Sequence, residues 1–414
     1  MPEPLRVLYV DNTFTFGGAF ESLSLLVSGL GERVAAVVIT GQPEEVARAH
    51  FPGVPVECWK LRLPWITPDP IAGDPTDERL QGLTRAQRLA RSAWWLFTST
   101  LPTAIRIAGV GRRHGTELVH LNNLAEAQPE GLLAAKLLGV PCVAHCRGHA
   151  DAGLRSARLL ASVPDHHIAI SGSVRDALLA TGVPDDRVTV VSNGVDLERF
   201  EPGPAQPGLR DELGVPGDAV LVGHVGRIVP WKGQLEFLEA FARAAGRIPT
   251  VHALVVGDRS DGQEAYERAV VARAGRPDLA GRVTLVGFRP DIADLMRTCD
   301  VLMHSSTSPE PFGRVLIEAM ALGIPVVAAA SGGPLEIVED GVTGRLVDPG
   351  DADTAGGVLV ALLRDAELRG RMGRAAAHRA RKLFSRDAHT AGVAGVYDRV
   401  LRRRGFTRTW RSAC

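Results

Sequence analysis

Residues 301–328 read VLMHSSTSPEPFGRVLIEAMALGIPVVA. The apolar run Val301–His304 predicts a buried strand, the residues after Gly313 predict a helix, and Val326–Ala328 predicts a second strand. Two apolar strands joined through a helix are typical of a parallel sheet that is covered on both faces. This stretch therefore indicates an α/β fold.

The same alternation continues in both directions along the chain. Six strands are predicted in the first half, at Leu5–Val10, Val34–Ile39, Leu118–Leu121, Cys142–Cys146, His167–Ile170 and Val188–Val191. Six are predicted in the second half, at Ala219–His224, His252–Val256, Val283–Val286, Val301–His304, Val326–Ala328 and Gly344–Val347. With helices between the strands, each half is predicted to be a doubly wound, Rossmann-like domain.

A stretch rich in Pro and Gly at 201–208 separates the two halves. We therefore expect an N-terminal domain at 1–195, joined by a C-terminal helix at 386–414, and a second domain at 210–385. Ligands of such sheets bind beyond the carboxyl ends of the strands, so two facing sheets would hold their ligands in a cleft between them.

Composition and charge exclude several classes of protein. Acidic and basic residues balance at 47 each, so there is no basic field that would indicate nucleic-acid binding. The apolar run Ala319–Ala330 is too short to span a bilayer, and the start MPEPLRVLYV lacks the pattern of a signal peptide. The five scattered cysteines argue against a disulfide framework and favour a reducing, cytoplasmic setting.

Two carboxylates follow the strand that ends at His304. Prolines flank Glu310 in an extended loop, and Glu318 lies about five residues into the next helix. Free N–H groups near Phe312–Arg314 would bind an anion, with Glu318 roughly 7 Å further along the helix axis. A sugar, a diphosphate and a ribose can line up in that order, although both carboxylates would also be ordinary at a solvated helix start.

A second loop adds two cations. GRIVPWKG at 226–233 follows the predicted strand Ala219–His224, and it places Arg227 and Lys232 just before a helix, where they can hold a diphosphate. Either residue alone would be ordinary on a surface loop. Lys232 is one of only four lysines in an arginine-rich chain. Together with the spaced carboxylates, the two cations favour a functional site over a chance arrangement.

With these motifs the chain resembles glycosyltransferase family 4. The resemblance rests on GRIVPWKG at 226–233, the E-x7-E motif of Glu310 and Glu318, GIPVV at 323–327 and DGVTG at 340–344. In the first half it rests on the Gly pair at 17–18, HLNN at 120–123 and SNGVD at 192–196, and it is weak between about 55 and 115. It implies the GT-B architecture and a retaining hexosyltransferase of carbohydrate biosynthesis, which uses a nucleotide-diphosphate-sugar as donor. The acceptor hydroxyl would belong to a glycan, a lipid-linked molecule or a small molecule.

The same resemblance implies a role for each matching residue. Arg227 and Lys232 would neutralise the donor diphosphate, Glu310 would bind hydroxyls of the transferred sugar, and Glu318 would bind the ribose. The remaining donor contacts would be Gly17, Gly18, Gly226, Phe288, Arg289, Phe312, Gly313 and Arg314. Catalysis would rest on electrostatic stabilisation of the leaving group, with no enzymatic nucleophile, no cofactor and no metal.

The segment CVAHCRGHAD at 142–151 ends a predicted strand of the first domain. The resemblance implies that His145 contacts the donor or assists the acceptor, and we expect Arg147, with Asn122, to contact the acceptor or a phosphate. A structural role for His145 fits the sequence equally well. Side chains alternate along a strand, so His145 and Arg147 would point the same way if the strand reaches both. The Cys and His residues between 142 and 149 would form a zinc-binding face only on a helix, which the predicted strand argues against.

Basic and aromatic residues are combined in two segments. One contains Arg85, Arg88, Arg91, Trp94, Trp95 and Phe97, and the other contains Arg399, Arg402, Arg403, Arg404, Arg408, Trp410 and Arg411. Such segments bind anionic membranes, and a peripheral contact at the inner face of the membrane would suit a lipid-linked acceptor. Equally, the aromatic side chains would belong to the core and the arginines to an ordinary solvated surface.

Two other functions are compatible with the sequence. A nucleotide-sugar 2-epimerase of the same architecture would need no acceptor, and a non-catalytic sugar-nucleotide-binding protein would bind a donor without turnover. The donor motifs favour a transferase over both. A dehydrogenase is disfavoured because FGGA at 16–19 lacks the G-x-G-x-x-G spacing. The base, the sugar, the acceptor, the linkage and the oligomeric state do not follow from the sequence.

Overall fold

The computed structural model describes residues 3–13, 17–59, 94–153 and 155–405. The chain divides into two compact units, one of Met1–Gly194 with Arg386–Cys414 and one of Val195–Ser385. Among the described helices, none combines the length and the hydropathy that crossing a bilayer requires.

The first unit contains a parallel sheet with seven described strands. In chain order they are β1 (Leu5–Asp11), β2 (Val34–Thr40), β3 (Val56–Cys58), β4 (Leu118–Leu121), β5 (Cys142–Cys146), β6 (His166–Ala169) and β7 (Val188–Val190). They lie in the order β3-β2-β1-β4-β5-β6-β7. The direction of the strand order reverses between β1 and β4, and ligands of doubly wound sheets bind beside such a switch point.

Helices alternate with these strands. They are α1 (Gly18–Leu30), α2 (Glu44–His50), α3 (Leu101–Arg113), α4 (Pro129–Leu138), α5 (Arg155–Ala161) and α6 (Gly172–Ala180). A π-helical turn, Leu96–Thr100, leads directly into α3. Leu8, Tyr9 and Val10 of β1 have no exposed surface, because helices cover both faces of the sheet. This explains why the middle of the strand, residues 7–10, is apolar without alternation.

The second unit repeats this plan with six described strands. They are β8 (Val220–Val225), β9 (Val251–Val256), β10 (Val283–Leu285), β11 (Val301–His304), β12 (Val326–Ala329) and β13 (Gly344–Val347). Their order is β10-β9-β8-β11-β12-β13, again parallel, with the switch point between β8 and β11. The helices are α7 (Leu209–Glu212), α8 (Gln234–Ala245), α9 (Glu264–Ala274), α10 (Ile292–Arg297), α11 (Arg314–Ala321), α12 (Pro334–Ile337), α13 (Ala352–Arg364) and α14 (Ala366–Leu383).

The last described helix, α15 (Arg386–Arg403), packs in the core of the first unit. Val393 and Tyr397 have no exposed surface, and the Tyr397 hydroxyl donates to the hydroxyl of Tyr9 at 3.3 Å. This helix is therefore anchored against β1.

The predicted fold class, α/β with two doubly wound parallel sheets, is confirmed. One described strand, β3, was not predicted. It has three half-buried residues at the edge of the sheet, and so short a strand has no long apolar run that would mark it in the sequence.

Candidate functional site

The carboxyl ends of β8 and β11 flank the switch point of the second sheet. The loop after β8 carries Arg227 and Lys232, and the loop after β11 carries Glu310. Both strands are parallel neighbours in the sheet, so these two loops leave it at the same edge. The structure thereby brings Lys232 beside Glu310, which lies 78 positions further along the sequence.

The loop after β8 ends in a tight turn that only glycine fits. Gly233 has φ of +71°, and a Cβ at this position would overlap the carbonyl oxygen of Ser305. The Ser305 hydroxyl also donates to the Gly233 carbonyl at 2.7 Å. These contacts hold the turn against the residue that follows β11, and they fix the position of Lys232 immediately before α8.

Glu310 is buried at 7% exposure, and its Oε2 is surrounded by donors. The Lys232 Nζ lies 2.6 Å away, His304 Nε2 3.1 Å and the Ser306 hydroxyl 3.1 Å. Burial alone would raise the pKa of Glu310, but the charge of Lys232 and the bonds from His304 and Lys232 outweigh it and hold the pKa well below its usual range. The carboxylate is therefore ionised and accepts hydrogen bonds only.

Backbone contacts fix the loop on which Glu310 lies. Glu310 forms a β-bridge with Gly332, and its carbonyl accepts a hydrogen bond of 2.8 Å from the Gly333 N–H. A Cβ at Gly332 or Gly333 would overlap the backbone of Glu310 or Phe312. The close approach of these two backbone segments, at 310–312 and 332–333, thus depends on this pair of glycines.

Helix α11 begins beside Glu310 and carries the second carboxylate. Gly313 precedes it with φ of +101°, and Arg314 is its first residue. The Glu318 carboxylate accepts a hydrogen bond of 3.0 Å from Arg314, one turn earlier. Arg314 was predicted to contact the nucleotide-sugar donor. In this structure its guanidinium is hydrogen-bonded to the Glu318 carboxylate.

The other predicted residues of this unit lie in loops beside these strands. Phe288 follows β10 and is 63% exposed. The Arg289 guanidinium forms ion pairs with Glu212 at 2.7 Å and with Asp291 at 2.6 Å. The half-buried Arg227 accepts a hydrogen bond on its carbonyl from Gln234 at 2.8 Å.

His304 and Ser306 were not among the predicted site residues. His304 is the last residue of β11, and Ser306 follows two positions later. Both residues lie at the carboxyl end of a predicted strand, and that location alone would have marked them as candidate ligand-binding residues. Their contact with Glu310 depends on how the loop folds back, which the sequence pattern does not show.

In the first unit, Arg147 is held by amide side chains. Its Nε and Nη2 donate to Asn122 Oδ1 at 3.1 and 3.0 Å, and its Nη1 donates to Asn193 Oδ1 at 2.5 Å. The Asn122 amide in turn donates to the buried Asp11 carboxylate at 2.9 Å, and this bond fixes which way the amide faces. Burial raises the pKa of Asp11, while its hydrogen bonds oppose that shift.

His145 and Arg147 lie in different environments. β5 ends at Cys146, so the alternation of a strand does not extend to Arg147. His145 has no exposed surface, and its ring centroid lies 5.3 Å from that of His120 and 5.6 Å from that of His389. Burial, and then the charge of Arg147, lowers the pKa of His145 well below its usual value. The completely buried ring presents no surface to a substrate, whereas Arg147 is half-buried.

The Gly pair at 17–18 lies at the start of α1. Gly17 has an extended backbone with φ of −177°, which any residue adopts, and Gly18 is the first residue of the helix. The adjoining residues 14–16 lie outside the described residues, as do the predicted Arg85, Arg88, Arg91, Arg408, Trp410 and Arg411.

The Cys and His residues between 142 and 149 lie in β5 and in the loop that follows it. Cys142–Cys146 is a strand, so these side chains do not share the helical face that a zinc site would need. Within the described ranges there is no group of three or more His, Cys, Asp or Glu residues arranged to hold a metal ion.

Two family models match the chain. The Glycosyltransferase Family 4 model matches residues 16–199, and the model for Glycosyl transferases group 1 matches residues 206–379. The first match falls on the unit that contains Arg147, and the second falls on the unit that contains Glu310.

Several curated relatives share about half of their length with this chain. The D-inositol 3-phosphate glycosyltransferase of Mycobacterium avium is 38% identical over 219 residues, which are 52% of this chain and 50% of that protein. The Kribbella flavida protein of the same name is 40% identical over 205 residues, 48% of each chain. The chain spans about half the length of the curated relatives it matches.

Solved structures share the fold over nearly the whole chain. Anabaena Alr3699/HepE, in complex with UDP and glucose, has a TM-score of 0.78 at 27% identity, covering 95% of this chain and 99% of that one. Sucrose-phosphate synthase from Thermosynechococcus elongatus has a TM-score of 0.70 at 21% identity, covering 96% and 100%. At 21% identity, the similarity to sucrose-phosphate synthase shows a shared fold only.

Proposed function

The chain belongs to glycosyltransferase family 4, and we propose that it is a retaining hexosyltransferase that moves a sugar from a nucleotide-diphosphate-sugar to an acceptor hydroxyl. The observation that carries this proposal is the 2.6 Å contact between Lys232 Nζ and Glu310 Oε2. It brings a cation suited to phosphate beside a carboxylate suited to sugar hydroxyls. In a sugar nucleotide these two kinds of group meet at the anomeric carbon, where the bond breaks.

Lys232 and Arg227 stabilise the leaving group in this proposal. When the bond between the anomeric carbon and the phosphate oxygen breaks, negative charge grows on the diphosphate. Fixed cations bind that charge more strongly in the transition state than in the ground state, so they accelerate the reaction. A preorganised donor of this kind is typically worth about 2.7–4 kcal/mol of barrier.

Glu310 holds the transferred sugar in this proposal. The three donors described above all contact Oε2, so we propose that Oε1 accepts a hydrogen bond from a hydroxyl of the sugar. The low pKa keeps the carboxylate ionised, which suits an acceptor and not a general acid.

The remaining donor contacts follow from the position of α11. Glu318, steadied by Arg314, would bind the ribose, and backbone groups of Phe312 and Gly313 would contact the phosphate or the sugar. The exposed Phe288 would lie against the base with the backbone of Arg289 and Gly226, and Gly17 and Gly18 would approach the phosphates. We propose uridine as the base because the 27% identical Anabaena protein was solved with UDP and with UDP-glucose.

The acceptor would bind to the first unit. Of the two candidates near the end of β5, we propose that Arg147 and not His145 contacts the acceptor, together with Asn122, because His145 is completely buried. We also propose a reducing, cytoplasmic setting and a peripheral membrane contact. The cysteines Cys58, Cys142, Cys146 and Cys299 are free thiols, in keeping with that setting.

Nucleotide binding tests the donor half of the proposal. A thermal-shift panel with UDP, GDP, ADP, CDP and dTDP should show one clear stabilisation, because a ligand at about 100 times its Kd adds about 2.7 kcal/mol to stability. The corresponding sugar nucleotides then identify the sugar. Lys232→Met should reduce the shift, while Lys382→Met, a change at an exposed lysine of α14, should not. No shift with any of the nucleotides would overturn the donor assignment.

Turnover tests the reaction class. Glu310→Gln should abolish transfer and leave nucleotide binding largely intact, with the exposed Glu367→Gln as its matched control. Isomerisation of the donor sugar without an acceptor would identify a 2-epimerase instead. Binding of the donor with neither transfer nor hydrolysis in the presence of a range of acceptors would identify a non-catalytic protein. Loss of activity with EDTA and its return with a divalent ion would contradict the metal-free mechanism.

A further inference from the structure

One helical segment of the first unit exposes large apolar side chains. Trp94 is 69% exposed, Phe97 65% and Ile105 53%. Trp94 lies in the helical residues just before the π-helical turn, Phe97 in that turn and Ile105 in α3. Ala104, Ile107 and Ala108 of α3 are buried. One face of α3 is therefore packed against the rest of the first unit, and the exposed apolar residues lie outside that face.

The same segment is strongly basic. No Asp or Glu occurs between residues 94 and 116, whereas Arg106, Arg112 and Arg113 do. The exposed Lys136 on the neighbouring α4 adds a fourth cation. Among the described residues, only Arg113 of this group forms an ion pair, with Glu57 at 2.8 Å.

Contacts within the protein position two of these cations. The Arg112 Nη2 donates to the carbonyl of Leu137 on α4 at 3.0 Å, so α3 and α4 present their charges on one surface. The Arg106 guanidinium lies 4.3 Å from the ring centroid of Trp59. These contacts leave both charges without a counterion among the described residues, ready for an external anion.

We propose that this basic-aromatic face, formed by Trp94, Phe97, Ile105, Arg106 and Arg112, docks on the surface of an anionic lipid bilayer. Trp and Phe partition into the interfacial layer of a bilayer, and nearby arginines are attracted to its anionic headgroups. The combination of exposed aromatic rings with unneutralised cations favours a bilayer over a protein partner that would cover the apolar residues alone. This docking does not depend on the transferase activity proposed above.

Two arginines at the end of α15 differ from those of the basic-aromatic face because they form ion pairs within the first unit. Arg403, the last residue of α15, pairs with Asp186 at 3.2 Å, and the next residue, Arg404, pairs with Asp165. Their charges are neutralised within the first unit, and α15 presents its apolar residues to the core. Arg399 and Arg402 form no ion pair among the described residues, but α15 exposes no large apolar side chain beside them. We therefore assign the membrane contact to the basic-aromatic face and not to α15.

Co-sedimentation with vesicles tests the proposal. The full chain should bind vesicles that contain phosphatidylglycerol and should bind phosphatidylcholine vesicles much more weakly. Trp94→Ser/Phe97→Ser should weaken binding at least about tenfold through lost apolar burial. Arg106→Gln/Arg112→Gln should weaken it about twenty-five-fold, at about fivefold for each charge. The matched controls are Leu159→Ser, a 70% exposed leucine of α5, and Arg268→Gln on α9.

Two further measurements locate the contact. Hydrogen exchange should show that anionic vesicles protect the amides of 94–113 and leave those of α9 unchanged. Unchanged binding in both double variants would overturn the proposal. So would protection of Trp94 and Phe97 from hydroxyl-radical labelling in the lipid-free monomer, because another part of the chain would then cover the face. A lipid-free dimer that Phe97→Ser dissociates would overturn it in favour of a second copy.

Discussion

Removal of the ammonium at position 232 would expose the energetics of the buried pair most directly. In Lys232→Met, the Glu310 carboxylate loses a counterion 2.6 Å from Oε2, while its side chain is only 9% exposed. Breaking a buried ion pair from one side typically costs about 3–5 kcal/mol, because a charge remains without its partner. The Glu310→Gln change should cost less, since the Lys232 side chain is 17% exposed and its Nζ keeps its place 4.2 Å from the ring centroid of Trp231.

The double variant Lys232→Met/Glu310→Gln should recover most of that loss, because neither charge is then left buried. The assay is native-state hydrogen exchange on the amides of β8 and β11, since a chain of two units need not unfold in one transition. Lys382→Met is the control and should leave the free energy of opening unchanged. If the two single changes add within about 0.5 kcal/mol in the double variant, the pair does not interact and the reasoning is refuted.

Acidification should destabilise the protein, because burial lowers the pKa of His167 to about 4 and that of His224 to about 3. Both stay neutral in the native state but bind protons in the unfolded chain below about pH 6.5. Between about pH 7.5 and about pH 5.5 each histidine therefore removes about 1.3 kcal/mol from the free energy of unfolding. Urea unfolding at the two pH values measures this loss, and an unchanged free energy of unfolding would contradict it. Gly233→Ala should lower the stability of the second unit by more than about 1 kcal/mol, because Gly233 has a positive φ. Gly246→Ala is the control and should not lower it, because Gly246 has φ of −67°. Thermal unfolding compares the two variants. Arg147→Lys should lower transfer while preserving the nucleotide-induced thermal shift, because lysine cannot reproduce the contacts of the guanidinium; a lost nucleotide shift would argue against an acceptor role.

The strands of the second sheet were predictable because they are buried on both faces. Val301–His304 and Gly344–Val347 were predicted with the bounds that the structure gives, since a continuous apolar run between loops is a local signal. The order of the strands is not a local property. It depends on which strands pair across the sheet, and here it follows the general rule for doubly wound folds.

Side-chain partners were less predictable than positions. The sequence identified the loops of Lys232 and Glu310 from their place after strands, but the two residues are 78 positions apart. His304 and Ser306 add further contacts from within a few residues of Glu310, and those depend on the turn of a loop around two prolines. In the first unit, the alternation rule did not extend to Arg147, because β5 ends one residue earlier, at Cys146.

The buried pair also limits what a single substitution can reveal about the site. Lys232 neutralises charge near Glu310, and it also holds the pKa of that carboxylate low. In Lys232→Met, burial would then raise the pKa of Glu310, and a protonated carboxyl would donate a hydrogen bond where the ionised form accepts one. A fall in turnover would therefore combine the lost phosphate contact with an altered sugar contact. The loss caused by Lys232→Met in a Glu310→Gln background isolates the part that belongs to the phosphate, since the amide does not titrate.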